Sequence, residues 1–146
     1  MLRIPPPVWA LVYTLAAAAV SWGLGWPAGL RIPAIGVPLT FLAWAPAIWA
    51  VVLFRRAGTE IRPDSDSNRA LLTEGPYRFT RNPMYLGIVA SSLGFALWVG
   101  AWPMLLVPVA ILATVSLVHI PFEEAKMRRQ FGSAFDAYAA RVRRWV

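Results

Sequence analysis

Two adjacent acids, Glu123 and Glu124, follow the single histidine of the chain, His119. On a helix, a spacing of four puts His119 on the same side as Glu123, about one turn earlier. The pair Arg81-Asn82 stands 41 or more residues upstream, flanked by Tyr77 and Tyr85. Carboxylates and an imidazole move protons, an arginine holds an anion, and tyrosine rings wall a flat apolar ligand. Each also has a plainer use: acids open a helix where its dipole favours them, a histidine is satisfied between helices, and an arginine anchors a span. With no cysteine in the sequence, disulfides, thiolate zinc sites and cysteine nucleophiles are excluded.

The elements that must position these residues are apolar. Of 146 residues, 58% are hydrophobic and 14% charged, with a mean hydropathy of +0.55, which does not describe a water-soluble domain. The apolar residues fall into four blocks separated by every cluster of charge, the pattern of membrane spans. The expected fold class is therefore all-α: an integral membrane bundle of about four transmembrane helices plus a C-terminal interfacial amphipathic helix, in a single domain, 1–146. The spans read as about 8–24, after Pro5-Pro6-Pro7 and with Trp22 and Trp26 at the far interface; 37–54, stopping at Arg55-Arg56; 84–99; and 104–120. Pro108 and Pro121 predict a kink or partial unwinding of the last span. Beyond it, in the helix 122–146, Met127, Phe131, Phe135 and Tyr138 form a stripe expected to lie along the membrane. Arg3 and the stretch Ala16 to Val20 resemble a cleavable signal, but Trp22, Trp26 and the blocks that follow favour a retained first helix.

Positive charge sets orientation. Residues 55–82 hold six arginines and the chain after Pro121 six Lys/Arg, against Arg31 in the first turn and none in the second. Both termini and the loop 55–83 are thus expected in the cytoplasm, the setting being a bacterial inner membrane. The net charge of +7 is accounted for by headgroups, and no soluble basic face with stacking aromatics points to nucleic acid. Because the hairpin after Arg81-Asn82 crosses the membrane and returns, Arg81-Asn82 and Glu123-Glu124 emerge at the same face and become potential neighbours. An ionisable group at a membrane boundary is costly enough to suggest a function.

The run Leu72-Thr73-Glu74-Gly75-Pro76-Tyr77-Arg78-Phe79-Thr80-Arg81-Asn82-Pro83-Met84-Tyr85-Leu86-Gly87 leads into a span, and one hairpin later come Glu123-Glu124, Phe131-Gly132, Tyr138 and a basic end. This resembles the isoprenylcysteine carboxyl methyltransferase and phospholipid methyltransferase superfamily. Its core reads Gly-x-Tyr, Arg-His-Pro-x-Tyr-x-Gly, a helical hairpin, Glu-Glu and Phe-Gly. The match covers about residues 69–145. The resemblance implies an S-adenosylmethionine-dependent enzyme whose cofactor is held by Arg69, Ala70, Leu71, Leu72, Tyr77, Asn82, Pro83, Met84, Tyr85 and Glu123. Arg81, Glu124 and His119 are then the candidate catalytic residues, His119 standing where the family has a substrate-side arginine. The residue chemistry fits the ligand: Arg81 or Arg69 for a carboxylate, Glu123 for an ammonium, Tyr77 with Tyr85 for adenine, and Gly75 and Gly87 for close backbone approach.

Two departures bear on the substrate. Asn82 replaces the motif's histidine and cannot be a general base, and His119 removes a fixed positive charge, which weakens the case for an anionic isoprenylcysteine carboxylate. Methyl transfer is an in-line displacement needing alignment and exclusion of water but no metal, and only an amine acceptor requires a base, for which Glu124 and His119 are candidates. The expected acceptor is a lipid or other hydrophobic molecule entering from the bilayer. The alternative is a non-catalytic membrane protein of the same fold that binds lipid or a partner helix; a transporter is disfavoured because no charged residue lies deep in any span. Acceptor and oligomeric state stay open.

Overall fold

A computed structural model describes residues 4–58 and 71–146, and all regular structure among them is helical. The order is α1 (Pro6–Gly23), α2 (Pro33–Leu42), α3 (Ala45–Arg56), a 3-10 turn Gly75–Arg78, α4 (Pro83–Val99), a second 3-10 turn Trp102–Leu105, α5 (Leu106–Thr114), a π-helical turn Val115–His119, α6 (Ile120–Phe131) and α7 (Ser133–Arg141). Proline opens α1, α2 and α4, where its missing N–H costs nothing and its φ suits the first turn. Gly100, at φ 79°, closes α4 in the left-handed region.

Each of the four apolar blocks is helical, with adjusted ends. Pro33–Arg56, of 24 residues, and Trp102–Phe131, of 30, are long and apolar enough to cross a membrane, while Pro83–Val99 is a shorter apolar helix. The second block divides at Ala43-Trp44 into α2 and α3, because Pro46 has no N–H to offer the carbonyl four residues earlier. In the fourth block, where a kink or partial unwinding is expected near Pro121, the helix passes through a π turn just before that residue and continues to Phe131. The π turn explains this: Ile120 N–H donates to the Val115 carbonyl, five residues back, so the widened turn delivers Pro121 into the first turn of α6, where a missing donor is tolerated. Nor is 122–146 one helix. Gly132, at φ 51° and ψ −127°, separates α6 from α7, a conformation open essentially to glycine.

The helix α4 is central, packed by α2, α3 and α5. Its contact with α2 runs through small residues. A Cβ added to Gly36 would lie 2.6 Å from Trp98 N, and one added to Gly94 would collide with Thr40 N. Backbones this close gain dispersion contacts that a lipid-bathed helix pair needs in place of a hydrophobic drive. Ser91 Oγ adds a 2.8 Å donation to the Thr40 carbonyl, and Tyr13 Oη and Thr114 Oγ1, 2.8 Å apart, tie α1 to α5. The main core gathers Tyr85, Ile88, Met104, Val107, Ile111, Val115 and Ile120. A second cluster joins Ala50 and Tyr77 to Phe135 and Tyr138, with Phe54, Leu71, Leu72, Met127 and Phe131 against it. The apolar stripe of α6 and α7 thus closes on protein, over the 3-10 turn before α4.

Gly94→Val is expected to lower the melting temperature of detergent-solubilised protein by several degrees, reflecting about 1–3 kcal/mol of overpacking. Gly23→Ala, where an added Cβ meets nothing within 4 Å, is the control that leaves it nearly unchanged.

Candidate functional site

Where α3 ends and α4 and α6 begin, the second cluster borders a cavity of about 100 Å³. Phe54, Leu71, Leu72 and Tyr77 form its apolar side, Arg81, Asn82, Glu123 and Glu124 its polar side, and Met127, Phe135 and Tyr138 close it from α6 and α7. The Phe54 and Tyr77 rings meet edge to face, with centroids 5.9 Å apart.

The polar side is organised by Glu124. Arg81 Nη2 donates to its Oε1 at 2.9 Å; Arg144 Nε donates to the same oxygen at 2.9 Å and Arg144 Nη2 to Oε2 at 2.7 Å. The Glu124 side chain is 7% exposed, that of Arg81 13% and that of Arg144 46%. A buried carboxylate with two guanidiniums on it is compensated for its desolvation, and both its oxygens are taken. Arg81 Nη1 donates to the Ala139 carbonyl at 2.8 Å, while Arg81 Nε is buried with no partner among the described residues.

The chain after α7 runs across this cluster as a strap. Arg81 N–H donates to the Arg143 carbonyl at 2.9 Å, and Thr80 Oγ1 and Asn82 Nδ2 donate to the Arg144 carbonyl at 2.8 and 3.0 Å. Asn82, expected against a ligand, therefore lines the cavity but commits its amide to the strap. On the far wall Tyr138 Oη donates to the Tyr77 carbonyl at 2.8 Å. Burial pushes the Tyr138 phenol up to about 12, with Arg81 pulling the other way. Burial also raises Tyr77, reinforced by Tyr138 and Glu123.

The structure brings Arg81 beside Glu124, a contact that the hairpin topology allows. Leu71, Leu72, Tyr77, Asn82 and Glu123 share the cavity wall with them, whereas Pro83, Met84 and Tyr85 do not line it. Tyr85 acts one step back: its hydroxyl donates to Glu123 Oε1, and its ring centroid lies 6.4 Å from that of His119. His119 is 4% exposed, and its Nε2 has no partner among the described residues. Arg69 and Ala70 lie outside the described residues. Gly75 and Gly87 make close approaches, but to helix neighbours: an added Cβ would lie 2.6 Å from Leu53 Cδ1 and 2.9 Å from the Ala43 carbonyl oxygen respectively. Sequence reasoning missed Phe54 and Arg144, the latter because a basic tail reads as a headgroup anchor.

The donor chemistry is that of an aminoacyl-nucleoside site, as for S-adenosylmethionine: a cation with an unpartnered Nε, a carboxylate held from behind by Tyr85, and an aromatic wall, the cavity among the described residues being large enough for part of such a ligand. A family model described as phospholipid methyltransferase matches residues 32–134. Among curated proteins the chain is similar to a probable protein-S-isoprenylcysteine O-methyltransferase from Oryza sativa subsp. indica, at 34% identity over 101 residues, 64% of this chain and 49% of that protein. It is similar also to protein-S-isoprenylcysteine O-methyltransferase B from Arabidopsis thaliana, at 32% identity over 101 residues, 64% of this chain and 48% of that protein. The chain spans about half the length of these relatives. No solved structure matches.

Tyr138→Phe is expected to cost about 1–3 kcal/mol by leaving the Tyr77 carbonyl unpaired. The sign of its pH dependence follows from a folded pKa of about 12 against an ordinary 10.0. Tyr138 contributes stability fully below about pH 10 and loses it as pH rises toward about 12. Melting curves across that range should show a smaller alkaline loss in Tyr138→Phe than in the wild type.

Proposed function

We propose that this chain, which belongs to the phospholipid methyltransferase family, is an S-adenosylmethionine-dependent methyltransferase acting on a lipid or other hydrophobic acceptor at the cytoplasmic membrane face. It is one membrane domain, 1–146, whose four apolar blocks all cross the bilayer. Both termini and the loop 55–83 lie in the cytoplasm, and α6 and α7 sit at the interface. The charge asymmetry supports this orientation: Arg55, Arg56, Arg81, Arg128 and Arg144 belong to the end that carries the cavity, while the Arg31 stem lies over Gly100, between α4 and the following turn.

The observation that carries the reading is the presence of Glu123 and of an Arg81 whose Nε is unspent on the wall of one mostly apolar cavity, at the charged end of an apolar bundle. S-adenosylmethionine supplies a methyl group on a sulfonium, a leaving group that is already activated. The chain's residues bind and align. Glu123, fixed by the Tyr85 hydroxyl, answers an ammonium; Arg81 answers a carboxylate; Tyr77 and Phe54 wall the adenine; and the stripe of α6 and α7 excludes water. Glu124, with both oxygens held by guanidiniums, holds Arg81 in place and is a poor base. Where the acceptor is an amine, His119 is the candidate base that is left, standing behind Tyr85 and off the cavity wall.

Calorimetric titration tests this reading. Detergent-solubilised protein is expected to bind S-adenosylmethionine and S-adenosylhomocysteine, and Glu123→Ala to weaken both by about tenfold or more through loss of a charged contact. The alternative of a non-catalytic lipid-binding or helix-binding protein draws on Asn82, whose amide is spent on the strap. Absence of binding by folded protein, in detergent and again in lipid, would overturn the cofactor assignment and favour that alternative.

A further inference from the structure

The strap contributes more than a covering to the site. Arg144 meets Glu124 as a fork, with Nε on Oε1 and Nη2 on Oε2, whereas Arg81 meets it end-on through Nη2 alone. That asymmetry decides which donors of Arg81 remain. Its Nη1 is on the Ala139 carbonyl, its Nη2 on Glu124, and its Nε is unpartnered among the described residues. A buried carboxylate prefers two parallel N–H donations from one guanidinium. With Arg144 absent, the nearest guanidinium able to provide them is that of Arg81, through Nη2 and Nε together.

We infer that Arg144 is a positioning residue for ligand binding: by forking Glu124 it confines Arg81 to an end-on contact, and so keeps the Arg81 Nε donor for an anionic group bound in the cavity. The inference rests on the proposed function for the identity of that group, the carboxylate of the aminoacyl-nucleoside ligand. The strap's own attachment is independent of the Arg144 side chain, because Thr80, Asn82 and the Arg81 N–H hold the Arg143 and Arg144 carbonyls. Removing the guanidinium therefore redirects Arg81 without releasing the tail.

The experiment compares two ligands that differ at the carboxylate. S-adenosylhomocysteine carries an aminoacyl carboxylate; 5′-methylthioadenosine keeps the adenosine and sulfur and lacks it. In Arg144→Ala, affinity for S-adenosylhomocysteine is expected to fall about tenfold or more, the loss of one charge-assisted hydrogen bond, with affinity for methylthioadenosine unchanged. Arg144→Gln, which retains side-chain length on the strap, should show the same selectivity and serves should the alanine variant fail to fold. A parallel loss for both ligands, or no loss for either, overturns the assignment, since a purely structural role does not distinguish the carboxylate. A second reading needs no ligand. The nitrogen-15 resonance of Arg81 Nε–H, assigned by its disappearance in Arg81→Lys, should shift and exchange more slowly with water in the Arg144 variants as Glu124 captures it. An unchanged Nε–H signal there also overturns the inference. Should the wild type bind neither nucleoside, the methyltransferase reading fails while the Nε–H signal still decides the role of Arg144.

Discussion

The charged end of the molecule depends on one buried carboxylate. Glu124 is almost fully removed from solvent, and a carboxylate in that setting persists only with close, well-directed counter-ions. The two that serve it come from separate places: Arg81 from the residues leading into α4, and Arg144 from the strap after α7. Satisfying Glu124 therefore fixes the start of α4 against α6 and draws the tail across both. The hydrogen bonds of Thr80 and Asn82 to the Arg144 carbonyl hold the tail there independently of the Arg144 side chain. Each is modest alone, but together they make the tail part of the cavity's frame.

The rest of the bundle is held by a different means. Large side chains such as Leu15, Trp22, Phe41, Leu42 and Leu117 are exposed, so their burial does not hold these helices together. Close approach does, through Gly36 and Gly94 at the contact of α2 with α4. The division is useful. A tightly packed apolar body supplies rigid helix ends, and the polar groups at one end are set by those ends and by Glu124, without buried charge in the middle of the bundle.

Hydropathy made the four blocks and the helical class legible, and the hairpin between Tyr85 and His119 made it legible that Arg81 and Glu124 can meet. Both are consequences of a local period and a count of crossings. What was not legible depends on contacts remote in sequence. The stripe Met127, Phe131, Phe135, Tyr138 is plain as a stripe and reads as a face laid along the membrane; the structure packs it on the Tyr77 turn instead, because the partner is remote in sequence. Pro121 reads as a kink or partial unwinding because its missing donor is a local fact, whereas the π turn that accommodates it forms upstream, in Val115–His119. Arg144 has the chemistry of a headgroup anchor until Glu124, 20 residues away, is known to be beside it.

The two departures from the family's motif acquire a physical account once placed. A neutral amide at Asn82 donates to the Arg144 carbonyl without a titratable proton, so the strap's attachment there does not change with pH as an imidazole's would. The same substitution leaves no base on the cavity wall at that point. Tyr85, behind that wall, gathers two ionisable groups: Glu123, which accepts its hydroxyl, and His119, whose ring lies beside its own. Tyr85 does not line the cavity, yet it joins the carboxylate that does to the histidine buried behind. His119 itself stands off the cavity wall, in the turn between α5 and α6, with its Nε2 unpartnered among the described residues.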